Sequence, residues 1–175
     1  TQICTHALCL DLGQTSVKRA VLRYERGVLV GLQWLSSIPV RWQWRNRPDA
    51  AEGIDPEAVL AFTVRAIVDG IECARVEGSM LCDTIGMSIA AYVRGGKLLG
   101  HGLYARMREI SEDADAAALI AETVAQEAGL DICPIIAHDG TAAAALHAGE
   151  ANTAVLVIGT AIGVRFPPDS TEGLC

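Results

Sequence analysis

Apolar and polar positions alternate first with the period of strands and later with that of helices. Residues 6–11 are a short apolar run that ends at Asp11-Leu12-Gly13-Gln14-Thr15, a strand followed by a turn. Between residues 16 and 24, Val17, Arg19, Val21 and Arg23 alternate with Lys18, Ala20 and Leu22, which predicts a second strand. Glu25-Arg26-Gly27 supplies a turn, and residues 28–38, rich in Val, Leu and Trp, predict a third strand. Three successive strands joined by tight turns make an antiparallel meander.

The period then changes. Asp55-Pro56-Glu57 has the residue types of a helix start: a capping Asp, Pro at the first helical position and an acid in the first turn. Val59, Leu60, Phe62, Thr63, Ala66, Ile67, Gly70, Ile71 and Ala74 fall on one stripe, so this helix should run to about Ala74. Residues 82–93 predict a strand, Arg94-Gly95-Gly96-Lys97 a turn, and residues 98–103 a return strand or extended segment. Ser111 is the expected cap of a second helix ending near Gly129, with a face of Ala114, Ala117, Ala118, Ala121, Val124 and Ala125. Residues 134–137 predict a buried strand, and Asp139-Gly140 opens an Ala-rich helix to about Gly149. Residues 153–158 predict a strand, residues 159–163 a glycine turn, and residues 164–166 a return strand stopped by Pro167-Pro168. The order β-β-β-α-β-β-α-β-α-β-β predicts an α/β fold: a mixed sheet, meander first and α/β crossovers after, with helices on its faces.

Composition narrows the class. The chain has 175 residues, 51% of them hydrophobic and only 5% aromatic, which suits aliphatic strands under helices and excludes disorder. No apolar run approaches the length of a membrane span, and no charged-then-apolar signal segment opens the sequence, so a cytoplasmic location is expected. The net charge of −7 divides into +4 over residues 1–50 and −11 over the remainder, and an acidic whole argues against nucleic-acid binding. Only Arg41-Trp42-Gln43-Trp44-Arg45-Asn46-Arg47 runs the other way, as a solvated edge, a substrate lid or dimer contact, or a nucleic-acid site. Six cysteines show no C-x-x-C pair, so free, mostly buried thiols and no structural zinc are expected.

Two turns carry chemistry. Asp11-Leu12-Gly13-Gln14-Thr15-Ser16 joins two strands through a glycine and two hydroxyl residues, a turn able to present backbone N–H groups to phosphate oxygens while Asp11 holds Mg²⁺. An ordinary hairpin would use the same residues. Gly159-Thr160-Ala161-Ile162-Gly163 repeats the device late in the chain.

Taken together, the two hairpins resemble the paired phosphate loops of the sugar kinase, actin and chaperone ATPase superfamily. The segment Ile136-Ala137-His138-Asp139-Gly140, with its Ala-rich helix ending in Gly149-Glu150, is similar to one narrower group, the repressor–ORF–kinase (ROK) sugar kinases. That resemblance implies a ribonuclease H-like, actin-like fold and an ATP- and Mg²⁺-dependent kinase acting on a hydroxyl of a sugar-like small molecule. Asp139 would be the catalytic base. Asp11, Gly13, Gln14, Thr15, Lys18, Gly159, Thr160 and Gly163 would bind nucleotide, with Asp11 also serving the metal. His138 and Ser88 would face substrate. A homodimer with no nucleic-acid or membrane partner is implied.

Each role has a structural counterpart. Asp139 is equally a good helix cap, and His138 could simply pack at a strand end. The pattern also departs from the family: His138 stands for an Asn, Ala161 for a Gly, and Gly86-Met87-Ser88-Ile89-Ala90-Ala91 lacks the Pro-Gly of the sugar loop. His101-Gly102-Leu103-Tyr104 stands where a sugar-binding Asn is expected. These departures put glucose specificity in doubt. By the same resemblance, residues 1–150 would be one domain and residues 151–175 the start of a second. A regulator that keeps the fold without catalysis, or an ATPase serving a partner protein, is the alternative.

Overall fold

The computed structural model describes residues 5–42, 51–111, 115–158 and 162–170. Strands β1 (His6–Leu12), β2 (Ser16–Glu25) and β3 (Val28–Pro39) form the expected meander. Helix α1 (Pro56–Val76) leads to β4 (Leu81–Ile89), and α2 (Ala116–Ala128) leads to β7 (Cys133–His138). One five-stranded sheet results, in the order β3-β2-β1-β4-β7. β3, β2 and β1 are antiparallel neighbours, and β1, β4 and β7 run parallel. Two small ribbons accompany it: β5 (Tyr92–Arg94) with β6 (Lys97–Leu99), and β8 (Val155–Ile158) with β9 (Ile162–Arg165).

Helix α1 begins where its residues require. Asp55 accepts a hydrogen bond from the Glu57 N–H, and Pro56 spends no donor at the first position. The whole expected stripe from Val59 to Ala74 is buried. It packs on Leu8, Leu10 and Leu12 of β1 and on Ile85, Met87 and Ile89 of β4, together with Ile120 and Val124 of α2. The opposite sheet face is tiled differently: Trp34, Ala20, Cys9, Gly86 and Ile135 lie in one row across five strands, and Trp34 is exposed.

Several boundaries differ from expectation. The strand expected over residues 82–93 ends at Ile89 and resumes as β5 in a separate ribbon. The extended segment expected to Leu103 stops at Leu99, and Tyr104–Glu109 form a 3-10 helix. Helix α2 is capped by Asp115, which accepts from the N–H groups of Ala117 and Ala118, not by Ser111. Its buried residues are Ala116, Ile120 and Val124, while Ala118 and Ala125 are exposed. The reason is tertiary. Gly96, at φ +75° in the β5–β6 turn, accepts from the Ala116 N–H, and a side chain there would collide with the Asp115 carboxylate. Strand β7 is an edge strand, not a buried one, with Ile135 partly exposed. Helix α3 (Asp139–Ala145) is shorter than expected.

Two further expectations change. Trp42 is not a solvated edge residue: its ring meets Phe62 of α1 edge-on at 5.4 Å, with Arg41 over it. Trp44 lies outside the described residues. Cys9, Cys73 and Cys133 are free, with Cys9 and Cys73 half-buried and Cys133 exposed. Cys82, by contrast, is disulfide-bonded, so the expectation of free thiols fails there. Among the described residues, no helix is long and apolar enough to cross a membrane.

Arg19 is a charge sealed into this architecture. It is 2% exposed and donates to the Ser36 carbonyl through Nε and Nη2, and to the Ala66 carbonyl and the Asp69 carboxylate through Nη1. These bonds tie β2 to β3 and α1. Arg19→Ala should therefore cost about 3 kcal/mol, through lost charged hydrogen bonds and a cavity. Asp69→Ala should cost about 1 kcal/mol, because water reaches that half-exposed position. Urea unfolding midpoints would measure both, and equal losses would contradict this division.

Candidate functional site

The parallel strands place the polar ends of three apolar runs side by side. Asp11 of β1 pairs with Ser88 of β4, and Ser88 with Ala137 of β7; one residue on, Leu12, Ile89 and His138 align. Neighbouring strands lie about 4.8 Å apart, so this row spans about 10 Å. Asp139 follows directly after His138, at the same edge of the sheet as Asp11. Ligand sites of open α/β sheets form at the carboxyl ends of parallel strands.

Asp11 is half-exposed and held at both oxygens. The Ser88 hydroxyl donates to Oδ1 at 3.3 Å, and the Lys18 ammonium sits 3.3 Å from Oδ2. Ser88, expected to face substrate, thus bonds to Asp11. Beyond Asp11 the chain turns tightly. The Gly13 N–H faces the carbonyls of Asp11 and Ser16, and a Cβ on Gly13 would stand 2.9 Å from the Ser16 oxygen, so the turn excludes a side chain there. Gln14 is half-exposed and Thr15 exposed, and the Thr15 carbonyl accepts from the Val40 N–H.

A residue that the sequence did not announce fixes this turn. The Tyr104 hydroxyl donates to the Gly13 carbonyl at 3.0 Å from a fully buried ring. Burial, with the Asp11 charge adding to it, pushes the phenol well above its ordinary value, so it remains a donor. Nothing in the periodicity near Tyr104 distinguishes it from a core aromatic.

At the β7 end a second group forms. The His138 Nδ1 accepts from the Gly140 N–H at 3.1 Å, and its Nε2 lies 3.1 Å from Asp139 Oδ1. Oδ1 also accepts from the Gly140 N–H at 2.6 Å. His138 therefore occupies the capping position of α3, and Asp139 is the first helical residue. Tyr92 stacks on the imidazole with centroids 4.8 Å apart and rings 3° from parallel, and the Arg165 guanidinium lies over Tyr92 at 5.3 Å. Tyr92 and Arg165 also went unrecognised in the sequence, because their contacts join elements far apart in the chain. Gly159 and Thr160 lie outside the described residues. Gly163 is exposed in β9, paired with Val157.

Asp11 suits one kind of ion. Among the described residues, no group of three or more His, Cys, Asp or Glu side chains is placed to hold a metal. A lone half-exposed carboxylate suits Mg²⁺, which keeps several waters and takes other ligands from substrate phosphates.

No protein-family model and no curated protein matches the sequence. Solved structures do match the fold. The inorganic polyphosphate/ATP-glucomannokinase from Arthrobacter sp. strain KM superposes with a TM-score of 0.59 at 16% identity, over 91% of this chain and 57% of that one. A ROK family glucokinase from Streptomyces griseus, in complex with glucose and AMPPNP, gives 0.47 at 21% identity over 96% of this chain and 49% of that one. The ROK hexokinase from Thermus thermophilus gives 0.40 at 17% identity over 97% and 50%. The chain thus shares the α/β, mixed-sheet fold of the glucomannokinase over most of its length. It spans a little over half the length of the glucomannokinase.

Tyr104→Phe removes the hydroxyl and leaves the Gly13 carbonyl without its donor. It should lower stability by about 1 kcal/mol, whereas Gly13→Ala should distort the turn itself. Thermal unfolding together with amide NMR of residues 11–16 would check both. Unchanged amide shifts in Tyr104→Phe would contradict the role given to this residue.

Proposed function

We propose that the chain is the phosphate-binding and base-bearing part of an ATP- and Mg²⁺-dependent kinase that phosphorylates a hydroxyl of a sugar or sugar-like small molecule. The observation that carries the reading is that Asp11 with its glycine turn and Asp139 stand at the carboxyl ends of β1 and β7, on one edge of the sheet with β4 between them. Phosphoryl transfer asks chiefly for positioning and charge neutralisation, and this edge offers a carboxylate for each task.

In this reading the turn formed by Gly13, Gln14 and Thr15 meets the β- and γ-phosphates, and Lys18 adds positive charge beside Asp11. By the motif, Gly159, Thr160 and Gly163 would bind phosphate as well. Asp11 would hold Mg²⁺ directly or through water, which when bound neutralises charge on the phosphate oxygens. Asp139 accepts the proton of the attacking hydroxyl, whose oxygen bonds to the γ-phosphorus as ADP leaves. In this proposal residues 1–150 form one domain and residues 151–175 belong to a second. A cytoplasmic homodimer belongs to the same proposal. The exposed apolar residues of edge strand β3, among them Val28, Leu32 and Trp34, support self-association.

A coupled ADP-release assay with a panel of sugars tests the activity. Release should depend on one acceptor and on Mg²⁺, and Asp139→Asn should lower kcat by about 10²–10⁴-fold. Hydrolysis independent of any acceptor would favour an ATPase acting on a partner protein. Binding of sugar or nucleotide without turnover would favour a regulator.

A further inference from the structure

We propose that the acceptor carries an anionic group, a carboxylate or a phosphate, and that the Arg165 guanidinium receives it beside Asp139. This names the substrate class of the kinase reading above and rests on that reading.

Charge is unevenly spread on this side of the molecule. Beyond residue 50 the chain is strongly acidic, yet residues 84–108 contain no acid and four bases, Arg94, Lys97, Arg106 and Arg108. This stretch includes the β5–β6 ribbon. Tyr92 and Arg94 are exposed on one side of β5, opposite Leu99 and Lys97 of β6, while Val93 and Leu98 are more buried. Asp115, the acid packed against Gly96, is already engaged by the N–H groups of Ala117 and Ala118. Arg165 of β9 adds a further cation: its guanidinium carbon lies 5.3 Å from the centre of the Tyr92 ring.

Arg165 is partly buried and held in place. Gly140 leaves room for its stem, since a Cβ there would stand 2.9 Å from Arg165 Cγ. The Tyr92 ring lies beneath the guanidinium and is itself stacked on His138. A guanidinium restrained in this way loses little freedom on binding. Among the described residues, its hydrogen bonding is limited to the Val164 carbonyl, reached by Nη1 at 3.2 Å, and no carboxylate pairs with it. Most of its donors are therefore available to a ligand.

Position assigns that ligand to the acceptor, not the nucleotide. The Arg165 stem meets Gly140, the residue directly after Asp139. The Asp11–Gly13 turn, read above as the site of the ATP phosphates, stands two strands away, about 10 Å across the sheet. Asp139 sets a negative charge where the acceptor must bind, so an anionic acceptor needs a cation at this place to offset it. A planar guanidinium meets a carboxylate or phosphate through two parallel N–H bonds, which a single sugar hydroxyl cannot reproduce. His138 in place of Asn, and the missing Pro-Gly of the sugar loop, agree with an acceptor other than glucose.

Two measurements on the whole chain test this. In the ADP-release assay, each neutral sugar is set beside its carboxylate and phosphate-ester counterparts, as glucose beside gluconate and glucose 6-phosphate. The best acceptor should be an anion, with a KM at least about tenfold below that of its neutral counterpart. Arg165→Gln should raise the KM of that anion about ten- to hundredfold, with kcat within about threefold and the KM of ATP unchanged. Arg165→Lys should recover part of the loss. Preference for the carboxylate and preference for the phosphate both support the proposal and tell the two sources apart. A neutral acceptor preferred over its anionic counterparts overturns it and leaves the kinase reading standing. An equal rise in KM for neutral and anionic acceptors also overturns it, because Arg165 would then act on structure alone; so does a rise confined to ATP. The second measurement needs no turnover. Anions of the same panel should shift the Arg165 Nε–H resonance in ¹H–¹⁵N spectra, their neutral counterparts should not, and added salt should weaken the effect. A resonance that none of these anions moves overturns the proposal. Anion binding at Arg165 on a chain without acceptor-dependent ADP release supports the anion site and overturns the kinase reading separately.

Discussion

The parallel registration of β1, β4 and β7 is the constraint on which the rest of the molecule depends. It is set by the burial of alternate residues: Leu8, Leu10 and Leu12 on β1, and Ile85, Met87 and Ile89 on β4, all beneath α1 and α2. A slip of one residue would turn every side chain to the wrong face, burying Asp11 and exposing leucines. The hydrophobic pattern therefore does more than stabilise the sheet. It determines that the carboxylate of β1 emerges on the face away from α1, beside Ser88, and that His138 and Asp139 end their strand at the same edge.

Charge is handled in three ways along this framework. Arg19 is desolvated and held by two carbonyls and a carboxylate, which makes it part of the architecture. Asp11 and Lys18 remain open to water, where their mutual attraction is weak and a stronger partner can displace it. His138 lies between these extremes, mostly shielded, with both nitrogens engaged by its immediate neighbours. Exposure, more than residue type, separates the groups that hold the fold from those free to meet a ligand.

Much of this was legible because local and long-range signals agreed. Asp55, Pro56 and the stripe from Val59 to Ala74 describe α1 completely, and glycines mark the hairpins. Asp11 stood out because it ends an apolar run before a glycine turn, and Asp139 because the segment around it resembles a ROK kinase motif. What was hidden depended on distant partners. Ser111 and Asp115 are comparable caps by type, and the choice is made by the Gly96 carbonyl of another turn. The 3-10 helix at Tyr104–Glu109 has no periodicity to betray it. His138 takes the cap expected of Asp139 because its ring reaches back to the Gly140 N–H, a competition that composition alone does not resolve.

The Tyr104 phenol also bears on how the Gly13 turn moves. Turns on a protein surface ordinarily open by small local fluctuations, and their amides exchange with solvent quickly. Here the carbonyl of Gly13 is tethered to a ring with no exposed surface, packed among Leu12, Leu103 and Met107 in the central cluster. Opening the turn breaks this bond and leaves the hydroxyl of a buried ring without its acceptor, a cost that an ordinary surface turn does not carry. The turn at the end of β1 lies at the surface, yet one of its carbonyls is anchored in the interior.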